Sequence, residues 1–193
     1  MQEKSMQIHL NNLIDNGIKK LKMGAFQNAI FDFSRILMNF PEDGYVYYLR
    51  GLCYTSVNEI LKAISDFEKS IELDNTNSDT FNELGNAYQA LGDIDKAIMS
   101  YQDACVADHF HKDAFYNLGF IYFERKEYEK ALKCFQKSVE NAPYDSDAFN
   151  NLGLCQVALN NLLEATIAFE NAIYLDPTHR EAIVNLEVIS TVV

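Results

Sequence analysis

At 193 residues, 48% hydrophobic and 12% aromatic, the chain holds enough apolar surface to offset the entropy lost on ordering, which excludes a disordered segment. Sixteen basic against 28 acidic residues give a net charge of −12 and a pI near 4.7, a balance that repels a phosphate backbone, so nucleic acid is not the expected partner. Residues 1–9 lack the apolar core of a secretory signal and no run is long enough to span a bilayer, so a soluble, cytoplasmic protein without membrane insertion is expected.

After a lead-in over residues 1–9, glycine sets a register: Gly17, Gly51, Gly85, Gly119 and Gly153 recur every 34 residues and account for five of the eight glycines. Alanine follows twelve positions later at Ala29, Ala63, Ala97, Ala131 and Ala165, and an aromatic column four beyond that at Phe33, Phe67, Tyr101, Phe135 and Phe169. The three prolines, Pro41, Pro143 and Pro177, share one further column with Asn75 and His109. A period of this length marks a repeat array, in which each unit buries its apolar face only by stacking on its neighbours. Units are expected over 10–43, 44–77, 78–111, 112–145 and 146–179, with 180–193 a closing helix or a truncated sixth repeat.

In chain order, the first unit departs most, with Asn16 and Lys20 where later units carry leucine and tyrosine. The second has Arg50 in the leucine column. The third shows the pattern of every unit: Phe81, Leu84, Gly85 and Tyr88 mark one face of a first helix, and Ile94, Ala97, Ile98, Tyr101 and Cys105 mark a second. The turn between them falls in the column Gly24, Asn58, Gly92, Lys126 and Asn160, where a left-handed residue closes a helix and Lys126 in the fourth unit is the exception. The fifth unit carries Gln156 in the tyrosine column. In the closing segment Ile183 and Leu186 keep the register while Glu187 replaces the glycine. Its Arg180, Glu181, Asn185 and Glu187 suit a cap, yet Val188, Ile189, Val192 and Val193 are apolar for a free end. Either the array continues, or this end meets a partner or a second copy.

A glycine inside a helix costs about 1 kcal/mol relative to alanine, so the column needs a packing reason. Close approach of Gly85 to the small Ala97, with Phe81 and Tyr101 filling the wider gaps, is the expected one.

An aromatic, then Leu-Gly, Tyr, Ala, Phe and Pro at these spacings resemble the tetratricopeptide repeat over residues 10–179. The resemblance implies an all-α fold, an α-α superhelix or solenoid of five helix-turn-helix repeats with a closing helix, and a non-catalytic adaptor that binds a peptide in a concave groove. That groove is lined by the face of each first helix opposite the core. Its columns read Asp15, Leu49, Glu83, Asn117, Asn151 and Asn185 at one position and Ile18, Leu52, Asn86, Phe120 and Leu154 at the other. Asn117, Asn151 and Asn185 resemble the asparagine ladder with which the repeats of O-linked N-acetylglucosamine transferase hold extended peptides; the bland alternative is that they are merely solvated. Leu52, Phe120 and Leu154, flanked by Tyr45, Tyr48, Tyr116 and Phe123, are apolar on a face expected to be wet, through either ligand contact or packing between successive first helices.

The co-chaperones of this family that grip acidic chaperone tails need two lysines, two asparagines and an arginine here. Asn86 and Asn117 fit the asparagines, but Asn82, Asp147 and Asn151 stand in the basic places, so such a tail would lack a charge-assisted partner. The candidate peptide-binding set is therefore Tyr45, Tyr48, Leu52, Asn82, Asn86, Tyr116, Asn117, Phe120, Asn151 and Asn185, for a protein or peptide ligand of basic rather than acidic character. Self-assembly through the apolar C-terminal helix is the alternative function.

No catalytic residues, metal ligands or cofactor are expected. Cys53, Cys105, Cys134 and Cys155 form no paired motif and read as reduced core thiols. Neither a nucleophile pair nor a phosphate loop appears. Asp108, His109, His111 and Asp113 crowd one inter-unit turn, where histidines are expected to face solvent rather than hold a metal.

Overall fold

The computed structural model describes residues 2–191, with side chains from Met6; Met1 of the lead-in and Val192 and Val193 of the apolar ending lie outside the described residues. Its helices are α1 (Gln2–Lys22), α2 (Phe26–Asn39), α3 (Gly44–Ser56), α4 (Ile60–Leu73), α5 (Ser78–Ala90), α6 (Ile94–Ala107), α7 (Lys112–Glu124), α8 (Tyr128–Asn141), α9 (Ser146–Ala158), α10 (Leu162–Leu175) and α11 (Arg180–Ser190). The lead-in is the first turns of α1. No strand occurs among the described residues, and none of these helices is long and apolar enough to cross a membrane.

The chain divides into two compact units, up to Ala107 and from Asp108. In the first, α1/α2, α3/α4 and α5/α6 pair as hairpins, and each hairpin stacks on the next through α2 on α3 and α4 on α5. In the second, α7/α8 and α9/α10 pair and stack likewise, and α11 packs on α10 and α9. The cores straddle these seams: Phe33, Leu37, Val46 and Cys53 form one cluster across α2 and α3, while Phe169, Ala172, Ala182 and Ile189 form another across α10 and α11. A hairpin alone would leave those faces wet, which is why the repeat exists only as a stack.

Both core columns are buried to completion. The alanines are all 0% exposed, and the aromatics are 0% or 1%. The glycine column has a different partner from the one expected. A Cβ on Gly85 would lie 2.6 Å from the Tyr101 ring, and the same holds for Gly17 with Phe33, Gly51 with Phe67 and Gly153 with Phe169 at 2.5 Å. The glycine makes room for the edge of the aromatic ring, not for the alanine.

All five hairpin turns share one geometry. Gly24, Asn58, Gly92, Lys126 and Asn160 have φ of 74°, 61°, 79°, 61° and 62°. Each is followed by a residue whose N–H reaches five residues back, as in Glu127 to the Tyr122 carbonyl at 2.9 Å and Glu59 to Tyr54 at 2.9 Å, the double bond pattern that ends a helix on a left-handed residue. Lys126 thus adopts the same turn against its own preference, because the flanking helices fix the chain on both sides. Lys126→Gly is expected to raise stability by about 0.5–1 kcal/mol in urea unfolding, since glycine meets no Cβ penalty there. Asn160→Gly should gain less, because asparagine already tolerates this region.

The polar replacements in the early repeats come as pairs. Arg50 forms two parallel hydrogen bonds to Asp66, Nε to Oδ2 and a terminal nitrogen to Oδ1, both at 2.7 Å, and donates a third to Ser34 Oγ at 3.1 Å. The guanidinium also lies over the Tyr47 and Tyr54 rings. Burial opposes its charge, but the hydrogen bond and charge of Asp66 outweigh that and hold the guanidinium above its ordinary value. One repeat earlier, Asp32 stands at the Asp66 position and takes hydrogen bonds from Asn16, at the Arg50 position, and Lys20. In both repeats a polar link stands in place of the aliphatic leucine, mostly buried at Arg50 and Asp66 but with Asn16 exposed in the first repeat.

Candidate peptide-binding face

From α3 onward each first helix is started by a side chain at one column, Asp43, Asn77, His111, Asp145 and His179. These accept the backbone N–H three residues on: Asp43 from Val46 at 3.1 Å, Asp145 from Ala148 at 3.0 Å, and His111 and His179, through Nδ1, from Ala114 and Ala182 at 3.2 Å. His111 is therefore a buried cap and not the solvent-facing residue expected of this turn, whereas His109 is exposed. For Nδ1 to accept, the imidazole must carry its proton on Nε2, and in His179 that atom lies 3.1 Å from Asp147 Oδ1. Asparagine and aspartate are ordinary caps; histidine is not, and only the 34-residue column could have signalled it.

The caps fix the roll of each first helix and so the side chains on its outer face. In the compact unit that ends at Ala107, Tyr45 is 50% exposed and its ring stacks on the half-buried Tyr48 at 6.2 Å, with Leu52 half-buried one turn further along α3. Burial, then the charges of Asp79 and Glu83, push the Tyr48 phenol up to about 12. Asn82 is buried, 6% exposed, and so does not present its amide to solvent as a groove residue would. Asn86 is committed internally at both ends: its Nδ2 donates to Glu83 at 3.2 Å, and its Oδ1 lies 2.7 Å from the Tyr101 hydroxyl, which is also 2.8 Å from Gln89 Oε1. The reason is chemical. Tyr101 is the one column aromatic with a hydroxyl, and a buried phenol needs an acceptor.

In the compact unit that begins at Asp108, Phe120 is 42% exposed, while Tyr116, Asn117, Asn151 and Asn185 are half-buried. Two asparagines of the expected ladder, Asn151 and Asn185, bond to neighbouring first helices. Asn151 Nδ2 donates to Tyr116 Oη at 2.9 Å, and Asn185 Nδ2 donates to Asn150 Oδ1 at 3.0 Å. Tyr116 also packs edge-on against Phe135, at 5.6 Å between centroids, and burial followed by the charge of Asp147 raises its phenol. Leu154 lines a hollow of about 340 Å³ with Arg180, Glu181, Val184 and Asn185. The residues chosen from the sequence therefore separate into exposed aromatics that can touch a guest (Tyr45, Phe120) and polar groups that join one helix to the next (Asn86, Asn151, Asn185).

The thiols take no part in this face. Burial pushes Cys53 and Cys134 up to about 11 and Cys155 to about 12, so they stay protonated and unreactive near neutral pH.

Models of the tetratricopeptide repeat match residues 44–77, 67–99, 113–145 and 146–179. Among solved structures, a crystal structure of MamA is 25% identical, with 89% of this chain and 94% of that one covered at a TM-score of 0.76. YrrB, described as a TPR protein with an unusual peptide-binding site, is 23% identical over 89% and 88% at 0.73. The first TPR of Spaghetti (RPAP3), bound to the HSP90 peptide SRMEEVD, is 28% identical over 60% of this chain and 91% of that one at 0.57. Among curated proteins none matches the sequence.

Proposed function

From the premise that this chain belongs to the tetratricopeptide repeat family, we propose that it is a non-catalytic adaptor holding an extended, basic segment of a partner protein against its first helices. The exposure of Tyr45 and Phe120 on helices whose other faces are buried is the observation that carries this reading, because large aromatics left in water on a rigid scaffold are the common anchors of a protein interface. Carboxylates set the charge of the guest: Asp79 and Glu83 act on Tyr48, and Asp147, Asp145 and Glu181 act on Tyr116. Lysine or arginine beside an aromatic or aliphatic anchor would satisfy both features.

The Spaghetti repeat holds a peptide ending in acidic residues. Here Asn82, Asp147 and Asn151 occupy the places that would need cations, so a guest of that charge is disfavoured.

Selection from a displayed library of random peptides tests the proposal. The expected winners are basic sequences with an aromatic or aliphatic residue, bound more weakly as salt rises. Tyr45→Ala and Phe120→Ala, each made singly, should weaken binding to their own unit about threefold or more while shifting unfolding by no more than about 0.5 kcal/mol, since both side chains are substantially exposed. Enrichment of acidic peptides, or binding indifferent to both variants, would overturn the reading.

A further inference from the structure

Within each compact unit, successive first helices meet through one pair of columns. The residue at positions 14, 48, 116, 150 and 184 faces onward, and the residue 35 places later meets it: Tyr116 with Asn151 and Asn150 with Asn185, each by a hydrogen bond. Tyr48 feels the charge of Glu83 in the same relation. Ile14 and Leu49, at the same two places on α1 and α3, belong to one apolar cluster. Polar groups meet polar groups and an aliphatic meets an aliphatic. Three residues before the meeting residue, the incoming helix carries a small side chain at 0% exposure (Val46, Thr80, Ala148, Ala182), and four after it a buried one (Cys53, Ala87, Cys155, Ile189).

Val184 is the last member of the onward-facing column. It is 51% exposed, and Val188, one turn along α11, is 57% exposed. The face they form continues the seam that runs from α7 to α9 to α11. We propose that this face of α11 docks a helix from a partner protein that presents a small residue, an aliphatic three places later to cover Val184, and a small or aliphatic residue four places beyond that. The valine selects against an asparagine at the central place, because an amide set on it would be desolvated without a partner. Leu49 over Ile14 is the precedent within the chain. A second copy does not supply this helix from its own first helix, because the same three places on α1 hold Asn12, Asp15 and Lys19, all exposed and polar.

A labelled, stapled peptide with the α3 sequence, residues 43–57, carries Val46, Leu49 and Cys53 in this register and serves as the probe. Saturable binding to the full chain is expected. Val184→Asn should weaken it about tenfold or more and at the same time favour a peptide carrying Leu49→Asn, a reversal of preference that general loss of folding cannot produce. Phe120→Ala should leave both peptides unaffected, because Phe120 does not line the hollow that Val184 shares with Leu154 and Asn185. The proposal fails if neither peptide binds at millimolar concentration, if Val184→Asn leaves the preference unchanged, or if light scattering shows a concentration-dependent dimer that Val184→Asn abolishes, since the occupant would then be a second copy.

Discussion

Asp66→Ala is expected to destabilise the protein by about 3–5 kcal/mol, the largest loss from any single substitution proposed for this chain, because it strands the Arg50 guanidinium where its counter-charge is gone. The Arg50 and Asp66 side chains are only 17% and 8% exposed, so water cannot replace what the carboxylate supplies. The later repeats show how the same site is built without charge: Leu84 with Ser100, Leu118 with Cys134 and Leu152 with Ala168 stand at the two positions. The double variant Arg50→Leu with Asp66→Ala, which copies the fifth repeat, is therefore expected to recover most of the stability lost by Asp66→Ala alone. Urea unfolding of the two variants against the parent decides this. If Asp66→Ala costs under about 1 kcal/mol, the pair behaves like an exposed one and the account of the second repeat is wrong. If the double variant is no better than the single, the link between α2, α3 and α4 rests on something besides the ion pair.

The second large effect separates glycines that look identical in the sequence. Gly153→Ala should cost about 1–3 kcal/mol, because its Cβ would sit 2.5, 2.7 and 2.9 Å from three atoms of the Phe169 ring, and a ring at 0% exposure has nowhere to retreat. At Gly119 the corresponding distances are 3.1 Å to Phe135 Cε1 and 3.2 Å to Cys134 Cβ. There the neighbours need yield only by tenths of an ångström, and alanine's better helix propensity returns about 1 kcal/mol. Gly119→Ala is expected to be neutral within about 0.5 kcal/mol. Thermal unfolding of both variants checks the contrast, and equal losses would show that the glycine column serves something besides ring clearance.

Periodicity made the architecture legible because 34-residue spacing, alanine, aromatic and turn columns all impose the same two helices, and an array satisfies each column by local contacts alone. Tyr45 and Phe120 were readable as surface aromatics for the same reason: a helix turns a fixed angle per residue, so core positions dictate which others face away. Side-chain pairing was not readable. Whether Asn151 faces a guest or Tyr116 depends on the stagger of two helices 35 residues apart, and that stagger is a property of packed volumes, not of spacing. Asn86 looked like half of a binding pair and proved to be the acceptor of a buried phenol, a partnership between α5 and α6 that no single helix encodes. His111 read as a turn residue and became a cap because the chain before α7 brings its ring over a free N–H. The sequence by itself determined the helices, their pairing and their inward faces, since those follow from local periodicity. The tertiary structure alone decided which polar groups are already spent on neighbours, because hydrogen bonds need contact within about 3 Å, and only the packed chain fixes distances that short.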